Sequence, residues 1–176
     1  MKKLEDYVIS IPDFPKEGII FRDVTGILRE ADGLQMAVDD IAGMLEGVDF
    51  DLVVGPEARG FIFGVPVAYK LKKPFIPIRK KGKLPRETVS VEYDLEYGSA
   101  TIEVHKEDIK PGQRVVVVDD LIATGGTMMA GKRLLERLGA TVVEGAAIVD
   151  LPELGGSRLL IEGGLPLFTV CNFAGH

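Results

Sequence analysis

Val115-Val116-Val117-Val118-Asp119-Asp120-Leu121-Ile122-Ala123-Thr124-Gly125-Gly126-Thr127 is the stretch that decides the fold. Four consecutive β-branched residues suit a short strand buried on both faces, the pattern of a central parallel strand with helices on either side. Two carboxylates, Asp119 and Asp120, stand at its C-terminal end. The run from Leu121 to Thr127 then brings two glycines for close backbone approach and two threonine hydroxyls, and leads into a helical pattern from Thr127 to Leu138. Successive N–H groups in such a turn converge on one point, and the positive end of the following helix reinforces them, so a phosphate fits there. Ligands of open parallel sheets sit outside the carboxyl ends of the strands, which puts strand, acidic pair and anion loop in a working order. Neither G-x-x-x-x-G-K-[ST] nor G-x-G-x-x-G occurs in the chain, which removes the main support for an ATPase or a dinucleotide enzyme.

At 176 residues, 46% of them hydrophobic, the chain is long enough for one domain with a full core, and it has no repeat or low-complexity tract. A net charge of −6 and a pI near 5.0 argue against nucleic-acid or anionic-membrane partners, which need a basic face. Cys171 is the lone cysteine, so no internal disulfide forms, and His105 and His176 are too few for a Cys/His metal cluster. A reducing cytoplasm is expected. Met1-Lys2-Lys3 opens like a signal peptide, but Glu5 and Asp6 interrupt any apolar core, and no run approaches the roughly 20 apolar residues of a membrane span.

The rest of the chain alternates strand and helix patterns. A short helix is expected over Lys3 to Ile9, ended by Pro12 and Pro15, then an irregular arm from Lys16 to Asp32. Leu34, Val38, Ile41 and Leu45 recur at helical spacing. Leu52 to Val54 reads as a buried strand, and Phe61 to Lys72 as a helix with Pro66 near its first turn or at a kink; Gly60 and Gly64 suggest close helix–sheet packing. Phe75 to Ile78 is a strand whose Pro77 favours an edge or a bulge. From Lys80 to Tyr97 regular pattern dissolves over a length unusual in a compact domain, which marks a functional or mobile segment. Ala100 to Val104 and Val142 to Val149 are strands, Lys110 to Gln113 is a turn, and Gly139 caps the helix before it. After Leu151 only Leu165 to Val170 stands out, as a last strand. Right-handed crossovers follow, giving an α/β single domain with a mainly parallel central sheet flanked by helices.

The thirteen residues closely resemble the phosphoribosyl-pyrophosphate signature of the type I phosphoribosyltransferases. Singly, an Asp-Asp turn and a Gly-Gly loop are ordinary; the run as a whole is specific. The resemblance implies that Asp119 and Asp120 hold the ribose 2′ and 3′ hydroxyls, and that Ala123, Thr124, Gly125, Gly126 and Thr127 hold the 5′-phosphate. It assigns Glu57, Ala58 and Arg59, in the loop Gly55 to Gly60, to the pyrophosphate through backbone N–H groups, commonly with a non-proline cis peptide that would fall near Glu57-Ala58; otherwise Glu57 and Arg59 read as a surface pair.

Arg79-Lys80-Lys81-Gly82-Lys83-Leu84-Pro85, Leu95-Glu96-Tyr97-Gly98, Asp13-Phe14-Pro15 and Gly18-Ile19-Ile20-Phe21-Arg22-Asp23 extend the likeness, in collinear order, to the adenine-using branch of that family. This implies a hood over residues 11–32, in which Phe21 stacks on adenine, the Ile20 carbonyl accepts from the exocyclic amine and the Arg22 N–H donates to a ring nitrogen, with Arg59 at the opposite edge. It also implies a mobile loop over residues 80–98, with Arg79, Lys80 and Lys83 on the pyrophosphate and Glu96 as general base. The expected reaction converts adenine and phosphoribosyl pyrophosphate to AMP and pyrophosphate, with Mg²⁺ carried mainly by phosphoribosyl pyrophosphate and no protein side chain assigned as its ligand. A cytoplasmic homodimer is expected. The alternatives are a sibling acting on another base, or a non-catalytic nucleotide-sensing regulator. The regulator reading gives Glu96 and its basic loop no purpose, and 176 residues leave no expected room for a DNA-binding domain.

Overall fold

The computed structural model describes residues 2–95 and 97–174. Glu96, expected as the general base, and His176 lie outside the described residues. The strands are β1 (Ile9–Pro12), β2 (Ile20–Asp23), β3 (Leu52–Pro56), β4 (Phe75–Lys80), β5 (Thr88–Asp94), β6 (Ser99–His105), β7 (Arg114–Ile122), β8 (Thr141–Asp150) and β9 (Leu167–Asn172). The helices are α1 (Ala31–Leu45), α2 (Arg59–Leu71), α3 (Gly126–Arg137) and α4 (Gly156–Glu162).

Seven strands form one sheet in the order β5-β6-β4-β3-β7-β8-β9. From β4 to β9 neighbours run parallel, and the hairpin β5/β6 closes one edge antiparallel. Val115 to Val118 are all buried, with Val116 and Val118 in the core under α1 and α2 and Val115 and Val117 in the core under α3. Burying each valine contributes about 1.5–3 kcal/mol, which fixes β7 as the spine of the sheet. The chain leaves β3 through α2 toward β4 and leaves β7 through α3 toward β8, so the connections part company between β3 and β7. Pairing of β3 with β7 stops at Val54↔Val117, whereas β7 continues with β8 as far as Ile122↔Asp150. A crevice therefore opens at this switch point, at the carboxyl ends of the strands.

Several expectations are corrected. The residues read as an N-terminal helix form only a 3-10 turn, Leu4–Tyr7, before β1 begins. The arm read as irregular contains β2, which pairs antiparallel with β1 from Ile9↔Asp23 to Pro12↔Ile20, because two short segments satisfy their main-chain groups most easily in each other. Of the two placements expected for Pro66, the structure has the interior one, in the middle of α2. Strand β4 is interior to the sheet, yet Pro77 still meets an open side. The Pro74 and Ile78 carbonyls face β3, so Pro77 faces away from it, and β6 pairs with β4 only at Arg79 and Lys80. Much of the segment from Lys80 onward, where no pattern was legible, is β5 and its ladder to β6. Beyond Leu151, α4 went unread because it is short, begins on glycine, and exposes Leu159 and Ile161 while burying Leu160.

The single thiol, Cys171, is buried, donates weakly to the Ile148 carbonyl (3.4 Å), and has its pKa pushed up to about 12 by burial. Among the described residues no helix is long and apolar enough to cross a membrane.

The expected close packing of α2 on the sheet is present at Gly64, where a Cβ would lie 2.6 Å from Phe75 Cε1. Gly64→Ala is accordingly expected to lower stability by about 1–3 kcal/mol. Gly43→Ala, on the exposed side of α1 with nothing within 4 Å, raises it by about 0.5–1 kcal/mol. Urea denaturation of the two variants checks both signs.

Candidate active site

The regular strand runs through the acidic pair instead of stopping before it, because β8 continues to pair with β7 as far as Ile122. Asp120 is 5% exposed, with its Oδ2 2.7 Å from Arg59 Nε in an ion pair that lacks hydrogen-bond alignment. Asp119 is half-buried and its Oδ1 accepts the Asp120 N–H at 2.8 Å. Burial first, and then the neighbouring Asp120 charge, raise the Asp119 pKa well above the usual carboxylate range, with the Asp120 N–H and Arg59 opposing. A carboxylate in that position is held at a cost and gains from hydroxyl donors.

After Ile122 the chain turns through Ala123 and Thr124 to Gly125, whose φ of +84° is the left-handed region that glycine adopts without strain. Helix α3 starts at the next residue with no side-chain cap, so the first N–H groups of a 12-residue helix point into the loop unpaired by a cap. The loop is braced from outside by Gly156. Its N–H donates to the Ala123 carbonyl (3.1 Å), and a Cβ there would fall 2.4 Å from that oxygen and 2.6 Å from Gly125 N. Only glycine permits this approach.

The opposite wall is the end of β3. The Glu57-Ala58 peptide is cis, at the position the resemblance indicated. Glu57 and Arg59 do not pair with each other. Glu57 Oε1 accepts from Arg79 Nε (3.0 Å) and from the Lys80 N–H (2.8 Å), while Arg59 turns to Asp120. Burial pushes the Glu57 pKa up, but the Lys80 N–H and the Arg79 guanidinium outweigh it and hold the group below the usual range.

Three concavities, of about 110, 460 and 280 Å³, lie along this crevice. The first is lined by Asp119 and Leu121 to Met128, the second by Pro56 to Arg59 with Asp119, Asp120 and Thr127, and the third by Glu57, Arg79, Lys80, Tyr93 and Thr127 among others. Shared residues make them one cleft. It brings together every predicted residue from Glu57 to Arg59 and from Asp119 to Thr127, with Arg79 and Lys80. Lys83 is exposed on the turn beyond, its N–H bonded to the Lys80 carbonyl (3.2 Å).

The hood residues Ile20, Phe21 and Arg22 are not part of these linings. Phe21 meets Phe14 edge-on at 5.2 Å, and the Arg22 guanidinium bonds Ser10 Oγ (2.6 Å) and the Ala174 carbonyl (3.1 Å) and lies over the Phe173 ring. The Ile19 carbonyl accepts the Phe14 N–H (3.2 Å), so by strand alternation Ile20 and Arg22 turn their main-chain groups away from β1.

Two residues were missed. Gly156 carried no signal in a tail whose pattern was illegible. Tyr93 was hidden in the stretch read as unpatterned, although its hydroxyl lies 3.2 Å from Thr127 Oγ1 and its ring packs 3.7 Å from where a Gly126 Cβ would be. Alternation over Val89, Val91 and Tyr93 was the available clue.

Among the described residues no group of three or more His, Cys, Asp or Glu side chains is placed to hold a metal ion. Asp119 and Asp120 supply two hard oxygen donors, with one of them engaged by Arg59. That set fits a Mg²⁺ ion that keeps its water and arrives on a ligand's phosphates, and does not fit a protein-built cage.

Residues 31–157 match the model of the phosphoribosyl transferase domain. The chain is 63% identical to the adenine phosphoribosyltransferase of Ralstonia nicotianae over 173 residues, covering 98% of this chain and 88% of that one. It is 59% identical to that of Lachnoclostridium phytofermentans, covering 99% of both. Among solved structures, the adenine phosphoribosyltransferase of Thermoanaerobacter pseudethanolicus superposes with a TM-score of 0.91 at 46% identity, covering 97% of this chain and 98% of that chain.

Because its folded pKa is raised, Asp119 binds its proton more tightly in the folded chain than in the unfolded one. Stability is therefore lost as pH rises above the unfolded value near 3.8. Asp119→Asn, which keeps the acceptor for the Asp120 N–H, is expected to raise ligand-free stability at pH 7 by of order 1 kcal/mol. The gain fades as pH falls toward 4, and thermal melts across that range read it.

Proposed function

The chain belongs to the phosphoribosyl transferase family, and on that premise we propose that it transfers the 5-phosphoribosyl group of phosphoribosyl pyrophosphate to adenine, giving AMP and pyrophosphate. The observation that carries the proposal is the single cleft in which an acidic pair, an uncapped helix N-terminus and the basic end of β4 face one another. A ribose 5-phosphate with a pyrophosphate on its anomeric carbon presents hydroxyls, a dianion and a polyanion in that order.

In this reading Asp119 and Asp120 accept from the ribose hydroxyls, and the loop Ala123 to Thr127 donates to the 5′-phosphate. The main-chain N–H groups of the loop from Glu57 through Ala58 to Arg59 take the pyrophosphate together with the side chains of Arg79, Lys80 and Lys83. Neutralising the charge that develops on the leaving group is the largest service such a site performs. Mg²⁺ bound to phosphoribosyl pyrophosphate adds to that neutralisation, with Asp119 and Asp120 as the carboxylates at hand. The adenine nitrogen attacks the anomeric carbon as the C–O bond to pyrophosphate breaks, through a state with oxocarbenium character. Glu96 takes the proton the purine must lose. Residues 80–98 act as the segment that closes over the reacting carbon to exclude water.

The hood sets the choice of base. Phe21 stacks on the ring, the outward carbonyl of Ile20 accepts from the exocyclic amine, and the Arg22 N–H donates to a ring nitrogen. A 6-oxo purine would set one carbonyl oxygen against another and leave both unpaired. The assembly we propose is a cytoplasmic homodimer.

Purified protein given Mg²⁺, phosphoribosyl pyrophosphate and one base at a time is expected to form AMP from adenine, with kcat/KM for hypoxanthine and guanine lower by at least about 10²-fold. Comparable rates with all three bases would refute the hood assignment. Glu96→Gln lowers kcat by about 10²–10⁴-fold with little change in adenine affinity. Turnover near that of the unaltered protein removes Glu96 from the chemistry.

A further inference from the structure

Glu103, in the middle of β6, is a buried carboxylate that the chemistry above does not use; it is 8% exposed. Both of its oxygens are engaged. Oε1 accepts the N–H of Gly82 at 2.9 Å, and Oε2 accepts the hydroxyl of Thr88 at 2.9 Å. Glu103 stands opposite Arg79 of β4 on one side and Ser90 of β5 on the other. It therefore sits inside the reverse connection that carries the chain out of β4 and back into β5.

That connection is where the basic side chains lie. Arg79 and Lys80 end β4, and Lys81 and Lys83 flank Gly82. The Lys81 N–H donates to the Thr101 carbonyl (3.0 Å) and the Lys83 N–H to the Lys80 carbonyl (3.2 Å), leaving the Gly82 N–H to Glu103. Three lysines in four residues repel one another, and an exposed turn of this kind holds one shape only if its main chain is tied down. A buried carboxylate receiving a main-chain N–H makes a charge-assisted bond, about twice as strong as a neutral one, and its negative charge offsets the repulsion.

We propose that Glu103 is a positioning residue for binding phosphoribosyl pyrophosphate. It clamps the turn from Lys80 to Lys83 onto β6, so that its cations converge with Arg79 on the pyrophosphate side of the cleft. The inference rests on the reading of Arg79, Lys80 and Lys83 as the pyrophosphate contacts. The clamp acts on affinity for the charged substrate and leaves the adenine side alone, because its hydrogen bonds go to Gly82 and Thr88, outside the hood.

Steady-state kinetics of Glu103→Ala, with each substrate varied in turn, tests this. The KM for phosphoribosyl pyrophosphate is expected to rise about tenfold, while kcat changes by less than about threefold and the KM for adenine stays unchanged. Glu103→Gln, which can still accept the Gly82 N–H, restores KM to within about threefold of the unaltered protein. If Glu103→Ala does not fold, Thr88→Val cuts one arm of the clamp and is expected to raise the same KM about two- to threefold. A Lys80→Ala/Lys83→Ala double variant separates the two levels of the argument. If it raises the KM for phosphoribosyl pyrophosphate and Glu103→Ala does not, the clamp is overturned and the basic turn keeps its role. If it leaves that KM unchanged, the reading of the turn fails and the clamp falls with it. Parallel losses of kcat, both KM values and melting temperature in Glu103→Ala, without rescue by Gln, would reduce Glu103 to a structural residue and overturn the proposal.

Discussion

Everything in this molecule depends on one strand being apolar on both faces for four residues and charged immediately afterwards. Val115 to Val118 can be buried only between two layers of helices, which forces β7 to the interior of a doubly covered sheet. The same strand carries Asp119 and Asp120 past the valines, one half-buried and the other buried, to where they line the cleft while β7 is still paired with β8. Because β3 parts from β7 after Val54↔Val117, the space into which they emerge is a crevice and not open solvent. Hydrophobic burial thus pays for the placement of two carboxylates that electrostatics alone would keep apart.

The electrostatics of the crevice is arranged in crossed pairs. Arg59 serves Asp120, and Arg79 serves Glu57, so each wall's charge is answered by a residue that another strand end or helix start delivers. Asp119 is left as the unanswered member, with its pKa raised by burial and by Asp120. A folded chain tolerates such a group where a ligand repays it, and stored electrostatic cost of this kind clusters at functional sites. The anion loop is balanced in the opposite sense, with donors at the uncapped start of α3 and no fixed negative side chain among its five residues.

The parts of this arrangement that could be read from sequence are those that local chemistry dictates. The four valines, the acidic pair and the Thr-Gly-Gly-Thr turn specify strand, carboxylates and anion loop without reference to anything distant, and the fold class follows from strands alternating with helical patterns. What was illegible depended on partners far along the chain. Tyr93 matters because α3 places Thr127 beside it, 34 residues later. Gly156 matters because α4 presses on Ala123 and Gly125, and nothing near Gly156 in sequence records that contact. Strand β2 was missed because it is four residues long and is completed by its ladder to β1, whereas β5 carried its own alternation of Val89, Val91 and Tyr93 but was masked by the charged, proline-containing stretch before it.

In the proposed reading, a two-stranded ribbon hydrogen-bonds the base through main-chain groups alone. An isolated antiparallel pair leaves the outward N–H and C=O of alternate residues unpaired, and phase decides which ones. Here the phase is set by the bond from the Phe14 N–H to the Ile19 carbonyl, and Pro12, directly opposite Ile20, has no N–H to compete for the Ile20 carbonyl. The free groups at Ile20 and Arg22 then recur with the period of the strand, an acceptor and a donor on one edge. Adenine offers the complementary order along its amine edge. Specificity of this kind does not depend on the Ile20 or Arg22 side chains, which leaves the Arg22 guanidinium free to tie the hood to the chain end at Phe173 and Ala174.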